Sequence, residues 1–291
     1  MIDLVLPKGS LELGTLKLFE EADLPVRRSS DRDYNASIPD PRIGKVKILR
    51  PQEIAQAVQK GYFDLGITGH DWVVETDSVV HQVMDLGFNR AGAPIARVVL
   101  AVPADSPIER PEDVPPGSRI SSEYLNITTR FFERLNIPVT VSLSYGATEA
   151  KIPELADVIV DLTETGSSLR RAGFKIVGTL VETSTRLIAN RDAWADPAKR
   201  GAIEEITTLL AGVLAARGKV LIKMNVPEER LQDVIKILPA MKAPTVSHLF
   251  GTSFYAVETV AVKNTINLLI PELKKSGAED ILEIPISKIV G

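Results

Sequence analysis

The sequence predicts an α/β protein that ends in a separate β-α-β-β-α-β module over residues 219–291. Strand-like and helix-like segments alternate almost from the first residue, which implies parallel sheets covered by helices. From Lys219 the order changes to strand, helix, strand, strand, helix, strand, which is the ferredoxin-like order. At 291 residues the chain is long enough for two or three domains, and no internal repeat or low-complexity tract divides it.

Residues 2–6 read as a short buried strand, and Ser10 is placed to cap a helix carrying Leu13, Leu16 and Phe19. Residues 46–49 form the next strand, followed by Pro51 at a helix start with Ile54, Ala57 and Val58 on one face. Residues 64–68 give a third strand ending at Gly69. Farther on, 98–102 is strand-like and 107–116 is a proline-rich surface loop. Ile127, Phe131, Phe132 and Leu135 form a helical stripe, with strands at 139–143 and 158–160 after it. Residues 186–189 read as a strand crossing back toward the first domain. Asp196-Pro197 then opens a long helix with Ile203, Ile206, Leu209, Leu210, Val213 and Leu214 on its apolar face. In the terminal module, strands fall at 220–224, 245–249, 255–262 and 281–285, with helices at 228–238 and 265–275.

Composition narrows the function. A hydrophobic share of 44% and a charged share of 25% belong to a globular chain rather than a disordered one. No apolar run reaches the roughly 20 residues that cross a bilayer, so no membrane segment is expected. The first residues carry neither the basic stretch nor the cleavage site of a secretory signal, so a cytoplasmic protein is expected. The net charge of −4 disfavours nucleic acid as the main partner but leaves room for small phosphorylated ligands. There is no cysteine, which excludes disulfides, zinc–thiolate sites and thiol nucleophiles. His70, His81 and His248 lack metal-ligand spacing, so no metal site built by the protein is expected. Serine hydrolysis lacks its G-x-S-x-G elbow.

The most informative run is Asp157-Val158-Ile159-Val160-Asp161-Leu162-Thr163-Glu164-Thr165-Gly166-Ser167-Ser168-Leu169. A buried strand leads into an acid, then a hydroxyl- and glycine-rich turn, then a helix. Amides at that helix start, with the hydroxyls of Thr165, Ser167 and Ser168, suit a phosphate monoester. Gly166 lets the backbone approach the anion, and Asp161 stands where it can meet ribose hydroxyls or a metal. An ordinary helix N-cap has the same look. Lys8 beside Gly9, between strand and helix, is a second anion contact, though its spacing is not that of a P-loop. Arg50 and the turn Thr68-Gly69-His70-Asp71 follow strands at the carboxyl edge, where open α/β sheets bind ligands; surface ion pairs are the plain alternative. Tyr124 is suited to stack on a base and Arg130 to reach a phosphate.

These residues resemble a known family. The run Gly146-Ala147-Thr148-Glu149-Ala150, together with Asp161 through Leu169, is similar to the signature of the ATP phosphoribosyltransferases, which open histidine biosynthesis. Leu6-Pro7-Lys8-Gly9, Asp64-Leu65-Gly66-Ile67-Thr68-Gly69, Arg50-Pro51 and the stretch from Tyr124 to Arg130 fit further motifs in order. The resemblance covers essentially the whole chain.

The resemblance implies a two-lobed, periplasmic-binding-protein-like catalytic body, with the active site in the cleft and a C-terminal regulatory domain of the long form. It places the first lobe at residues 1–94 and 183–217, the second at 95–182 and the regulatory domain at 218–291. The implied reaction joins N1 of ATP to C1′ of phosphoribosyl pyrophosphate, with Mg²⁺ carried on the pyrophosphate. Glu164, Thr165, Gly166, Ser167, Ser168 and Leu169 would hold the 5′-phosphate, with Asp161 near the ribose. Lys8, Arg50, Tyr124 and Arg130 would line the nucleotide and pyrophosphate side, with Gly9, Gly69, Asp71 and Glu149 as further substrate contacts. Histidine is the implied inhibitor, with Asn225, Thr245 and Ser247 as its contacts, and a hexamer built from dimers is the implied assembly. Leu125 and Ala172-Gly173 depart from the pattern, where the family often has proline and asparagine. A two-lobed binding protein without catalysis would share this fold but leaves the 164–168 loop and the third domain unexplained.

Overall fold

The computed structural model describes residues 1–88, 95–239, 241 and 243–291. They divide into two compact units, Met1–Thr207 and Thr208–Gly291.

The first unit is built on two sheets. One holds β1 (Ile2–Pro7), β2 (Asn35–Ala36), β3 (Ile43–Leu49), β4 (Leu65–Gly69), β5 (His81–Asp85) and β11 (Thr185–Ala189), in the order β2-β3-β1-β4-β11-β5. α1 (Glu12–Glu21), α2 (Pro51–Gln59) and α3 (His70–Glu75) connect its strands. Val5, Ile54, Val58, Phe63, Val73 and Ile188 pack one side of this sheet into a core. The other sheet holds β6 (Ala96–Pro103), β7 (Arg119–Ser122), β8 (Thr140–Leu143), β9 (Val158–Thr163) and β10 (Phe174–Thr183), in the order β10-β6-β9-β7-β8. It carries α4 (Leu125–Leu135) and α5 (Ser167–Arg171). Val98, Leu100, Ile120, Phe132, Val158 and Val160 are among its buried core.

The chain leaves the first sheet after β5 and returns as β11, which pairs antiparallel with both β4 and β5. The sheets are therefore mixed, not parallel as the βαβ alternation implies. Parallel pairing survives at β1 with β3 and β4 and at β7 with β8 and β9. β6 pairs antiparallel with β9 and β10.

Local details depart from expectation for identifiable reasons. A 3₁₀ turn at Gly9–Leu11 precedes α1 and rotates its buried face onto Thr15, Leu18 and Phe19. Leu13 is left 82% exposed, and Ser10 makes no capping bond; the Glu12 carboxylate accepts from the Gly9 amide instead. β5 and β10 escape a reading by apolar runs because β5 is half polar and β10 is interrupted by Gly178. Short α6 (Arg191–Ala195) is capped by Asn190, whose carboxamide oxygen accepts from the amides of Asp192 and Ala193. α7 (Pro197–Ala216) follows, and the two units part inside it at Thr207, earlier than the expected boundary at 217. The expected lobe boundary at 94 lies outside the described residues.

The second unit contains β12 (Lys219–Pro227), α8 (Leu231–Ile237), β13 (Thr245–His248), β14 (Phe254–Val262), α9 (Ile266–Lys275) and β15 (Glu279–Pro285). Its antiparallel sheet runs β13-β14-β12-β15, the strand order of a ferredoxin-like fold. Val220, Ile222, Met224 and Val226 alternate inward along β12 and pack with Val234, Leu269 and Leu273 from the helices.

Gly66 of β4 stands where α2 packs tightly on the first sheet. A Cβ there would lie 2.7 Å from Val58 Cγ2 and 2.9 Å from Val5 Cγ1, both buried branched side chains. Gly66→Ala is therefore expected to destabilise the first unit by about 1–3 kcal/mol, measured by chemical denaturation.

Candidate active site

Three loops converge at the carboxyl edge of the parallel strands β7, β8 and β9, where α/β sheets place ligands. Glu123 follows β7, residues 146–149 follow β8, and residues 163–169 follow β9. Together they line a cavity of about 700 Å³. Of the expected site residues, Glu149, Asp161, Glu164, Thr165, Ser167, Ser168 and Leu169 line it.

The β9–α5 loop is preorganised by its own side chains. The Gly166 amide donates to Thr163 Oγ1 at 2.9 Å, Thr165 Oγ1 donates to Ser167 Oγ at 3.0 Å, and Arg170 Nη2 donates to the Thr165 carbonyl. Gly166 adopts φ of +72°, a left-handed conformation that favours glycine. A Cβ there would sit 2.9 Å from Ile176 Cδ1 and 3.1 Å from Arg170 Nη1, so the glycine is set by loop geometry as much as by access for a ligand. Ser168 and Leu169 stand in the first turn of α5, where amides lack intrahelical acceptors.

Four carboxylates, Glu123, Glu149, Asp161 and Glu164, border the cavity, and among the described residues no lysine or arginine lines it. On the neighbouring wall, Ser144 Oγ, Thr148 Oγ1 and Lys151 Nζ form a hydrogen-bonded chain of 2.9 and 2.8 Å that holds the 146–149 loop. Among the described residues, no group of three or more His, Asp and Glu side chains is arranged to hold a metal ion.

The cations stand on the first sheet. Lys8 and Arg50 follow the adjacent parallel strands β1 and β3, and the Lys8 amide donates to the Leu49 carbonyl at 2.7 Å. Gly9 follows Lys8 with φ of +83° and is open to solvent. The Lys8 ammonium lies 4.2 Å from the ring centre of Tyr34. Gly69 ends β4 beside them, buried, where a Cβ would meet Asp71 Oδ1 at 2.1 Å. Its glycine makes room for a carboxylate of the protein.

Asp71, Tyr124 and Arg130 do not stand in the cavity. Asp71 is 3% exposed; its Oδ2 accepts from Tyr124 Oη and its Oδ1 from Thr183 Oγ1, both at 2.7 Å. Burial raises the Asp71 carboxyl above its ordinary range, with the two hydroxyl donors acting against that shift. The Tyr124 ring is 2% exposed and stacks on Trp72 at 4.7 Å, so it is not presented to a base. Its phenol is pushed well above the usual range by burial and by the Asp71 charge. Arg130 is committed to α3: Nη2 donates to the Val74 carbonyl at 2.6 Å and Nη1 to Asp77 Oδ1 at 2.8 Å. A buried phenol needs an acceptor and the end of α3 offers free carbonyls, so both side chains are drawn into packing between the sheets.

Glu75 and Thr183 belong to the same contact and were missed in the sequence, as was Glu123 on the cavity wall. The signal for Glu75 is its spacing from Asp71, four residues along one helix face.

In the second unit, Asn225 and Ser247 both pair across Ala256, and Thr245 pairs with Glu258 in the next row. All three lie on the sheet face opposite the helices. Asn225 Nδ2 donates to Asp280 Oδ2 at 2.8 Å. Among the described residues, no helix is long and apolar enough to cross a membrane.

Comparison with known proteins finds relatives matched over the full chain. The family model for ATP phosphoribosyltransferase matches residues 50–212, and the one for its C-terminal domain matches residues 216–288. An ATP phosphoribosyltransferase of Chlorobium luteolum is 44% identical over 290 residues, spanning 100% of this chain and 98% of its own. ATP phosphoribosyltransferase 1 of Geobacter sulfurreducens is 44% identical over 291 residues, spanning 100% of this chain and 99% of its own. Among solved structures, the ATP phosphoribosyl transferase (HisG:HisZ) complex from Thermotoga maritima superposes with a TM-score of 0.61 at 24% identity, over 72% of this chain and 98% of the matched one, which shows a common fold. The matches run through the β9–α5 loop and on into the ferredoxin-like unit, so the chain belongs to the ATP phosphoribosyltransferase family.

Proposed function

We infer that this chain transfers the phosphoribosyl group of phosphoribosyl pyrophosphate to N1 of ATP, the first step of histidine biosynthesis. One observation carries the reading: the family match includes the loop that lines the cavity with Thr165, Ser167 and Ser168. The bond from N1 to C1′ forms as the bond from C1′ to the pyrophosphate oxygen breaks. The displacement passes through an oxocarbenium-like state, so the protein's task is to orient two polyanions and offset charge on the leaving group.

In this reading the hydroxyls of Thr165, Ser167 and Ser168 and the first-turn amides of α5 hold the 5′-phosphate. Asp161 and Glu149 face the ribose. Lys8 and Arg50 approach from the first sheet toward pyrophosphate and nucleotide. The two sheets of the first unit act as the two lobes of the catalytic body. A cavity bordered by four carboxylates repels a bare polyanion, which fits a substrate that arrives as its Mg²⁺ complex. The metal supplies charge neutralisation at the leaving pyrophosphate.

The second unit is read as a histidine sensor that also assembles the chain into a hexamer from dimers, in the cytoplasm. Asn225, Thr245 and Ser247 share one sheet face, where a small amino acid can be held between copies. Histidine inhibits only if it binds one assembly state better than another.

Three kinds of measurement test these roles. Pyrophosphate release from ATP, phosphoribosyl pyrophosphate and Mg²⁺ should be robust in the full chain, and its absence defeats the catalytic reading. Ser167→Ala and Ser168→Ala should each weaken phosphoribosyl pyrophosphate by about 1.5–3 kcal/mol, read as KM, because each removes a hydrogen bond to a charged group. Gly166→Val should also abolish turnover, but its contact with Ile176 deforms the loop, so the serine variants are the cleaner test. Histidine titrated against the full chain should inhibit turnover, and Asn225→Ala should shift that inhibition to higher histidine. A chain insensitive to histidine overturns the sensor.

A further inference from the structure

We propose that Asp71 and Glu75 are positioning residues: one face of α3 forms a two-point pivot that sets the cavity wall of the second sheet against the first. The proposal rests on the transferase reading for its kinetic test and on geometry alone for its structural one.

The first point is Asp71. Its carboxylate accepts from Tyr124, which follows β7, and from Thr183, the last residue of β10 before the chain crosses back to the first sheet. The Asp71 amide donates to Thr183 Oγ1 at 3.0 Å, and the His70 amide donates to the Ser184 carbonyl at 3.0 Å. One turn later along α3, Glu75 makes the second point. Its Oε1 accepts from the Asn126 amide and its Oε2 from the Ile127 amide, each at 2.9 Å. Asn126 Nδ2 returns a bond to the Glu75 carbonyl at 2.9 Å. A carboxylate on one sheet's helix thus caps the N-terminus of the other sheet's helix.

Glu75 is 8% exposed and burial raises its carboxyl above the ordinary range, so the charge is held there by the two amides and by Arg130 nearby. Both points grip the segment 124–127, and Glu123, which lines the cavity, immediately precedes it. Tyr124 and Thr128 both bond to Ser122 Oγ, at 2.9 Å each, so this segment is rigid and moves with the pivot. Neither Asp71 nor Glu75 lines the cavity. Their effect on the reaction is to fix where Glu123 and its neighbours stand relative to Lys8 and Arg50.

Loosening the pivot spreads the ensemble of sheet orientations and lowers the fraction competent to bind. Each apparent dissociation constant then rises by the same factor, the inverse of that fraction. Glu75→Gln keeps the shape but sets an amide group against a backbone amide. Asn126→Ala removes one bond and is the milder variant. For Glu75→Gln, KM for ATP and for phosphoribosyl pyrophosphate should rise together, by about tenfold, with kcat within about twofold and Glu75→Asp partly restoring both. A rise in one KM alone would mean substrate contact and overturn the proposal. Lower kcat with both KM values unchanged would mean loss of folded enzyme and overturn it equally.

A second measurement does not depend on activity. The chain has no cysteine, so Lys17→Cys on α1 and Thr140→Cys on β8 accept spin labels selectively. The distance distribution between them, measured without ligand, should broaden in Glu75→Gln and, less so, in Asn126→Ala. An unchanged width rejects the pivot even if the enzyme is a transferase. A broadened width in a chain that releases no pyrophosphate supports the pivot and rejects the transferase.

Discussion

Everything in the first unit turns on one buried carboxylate. Asp71 sits where the chain crosses between sheets, and it receives hydroxyls from both sides of the second sheet's framework. Burying an acid is costly, and the cost is offset only while both donors are present. Losing either donor weakens that compensation; losing the acid takes the acceptor from the Tyr124 hydroxyl, while Thr183 Oγ1 still accepts from the Asp71 amide. Gly69 is part of the same constraint, because any side chain there would occupy the space of the Asp71 carboxylate. A short helix of six residues therefore joins two sheets that share no strand.

Charge is divided between the sheets. The second sheet offers hydroxyls, amides and carboxylates, while Lys8 and Arg50 stand on the first. On the proposed transferase reading, a ligand with phosphates at both ends draws on both sets of groups, so the mutual placement of the sheets is part of recognition.

Much of this was legible in the residues. The run after Val160 could be read as a strand, a glycine turn and a helix start because each leaves a local mark, and β9, Gly166 and α5 stand there. The terminal module showed itself by element order alone. The contacts that Tyr124, Asp71 and Arg130 make were not legible, since their side chains suit ligands and buried networks equally, and only long-range packing records the network. Tyr124 meets Asp71 across 53 positions of sequence, and no local pattern records that. β11 was visible as an apolar run, but its antiparallel insertion between β4 and β5 was not, because direction follows from where the chain returns rather than from composition.

That insertion has a bearing on synthesis. Among the described residues, β5 pairs with β11 and with no other strand, so it has no place in the sheet until β11 has emerged from the ribosome. The wait covers roughly a hundred residues, on the order of 5–20 s at ordinary translation rates. Throughout that interval the edge of β4 that takes β11 is unpaired, an open template for a neighbouring nascent chain, although all five of its residues are buried in the folded protein. The discontinuity of the first sheet thus leaves one strand edge open in the nascent chain until β11 arrives.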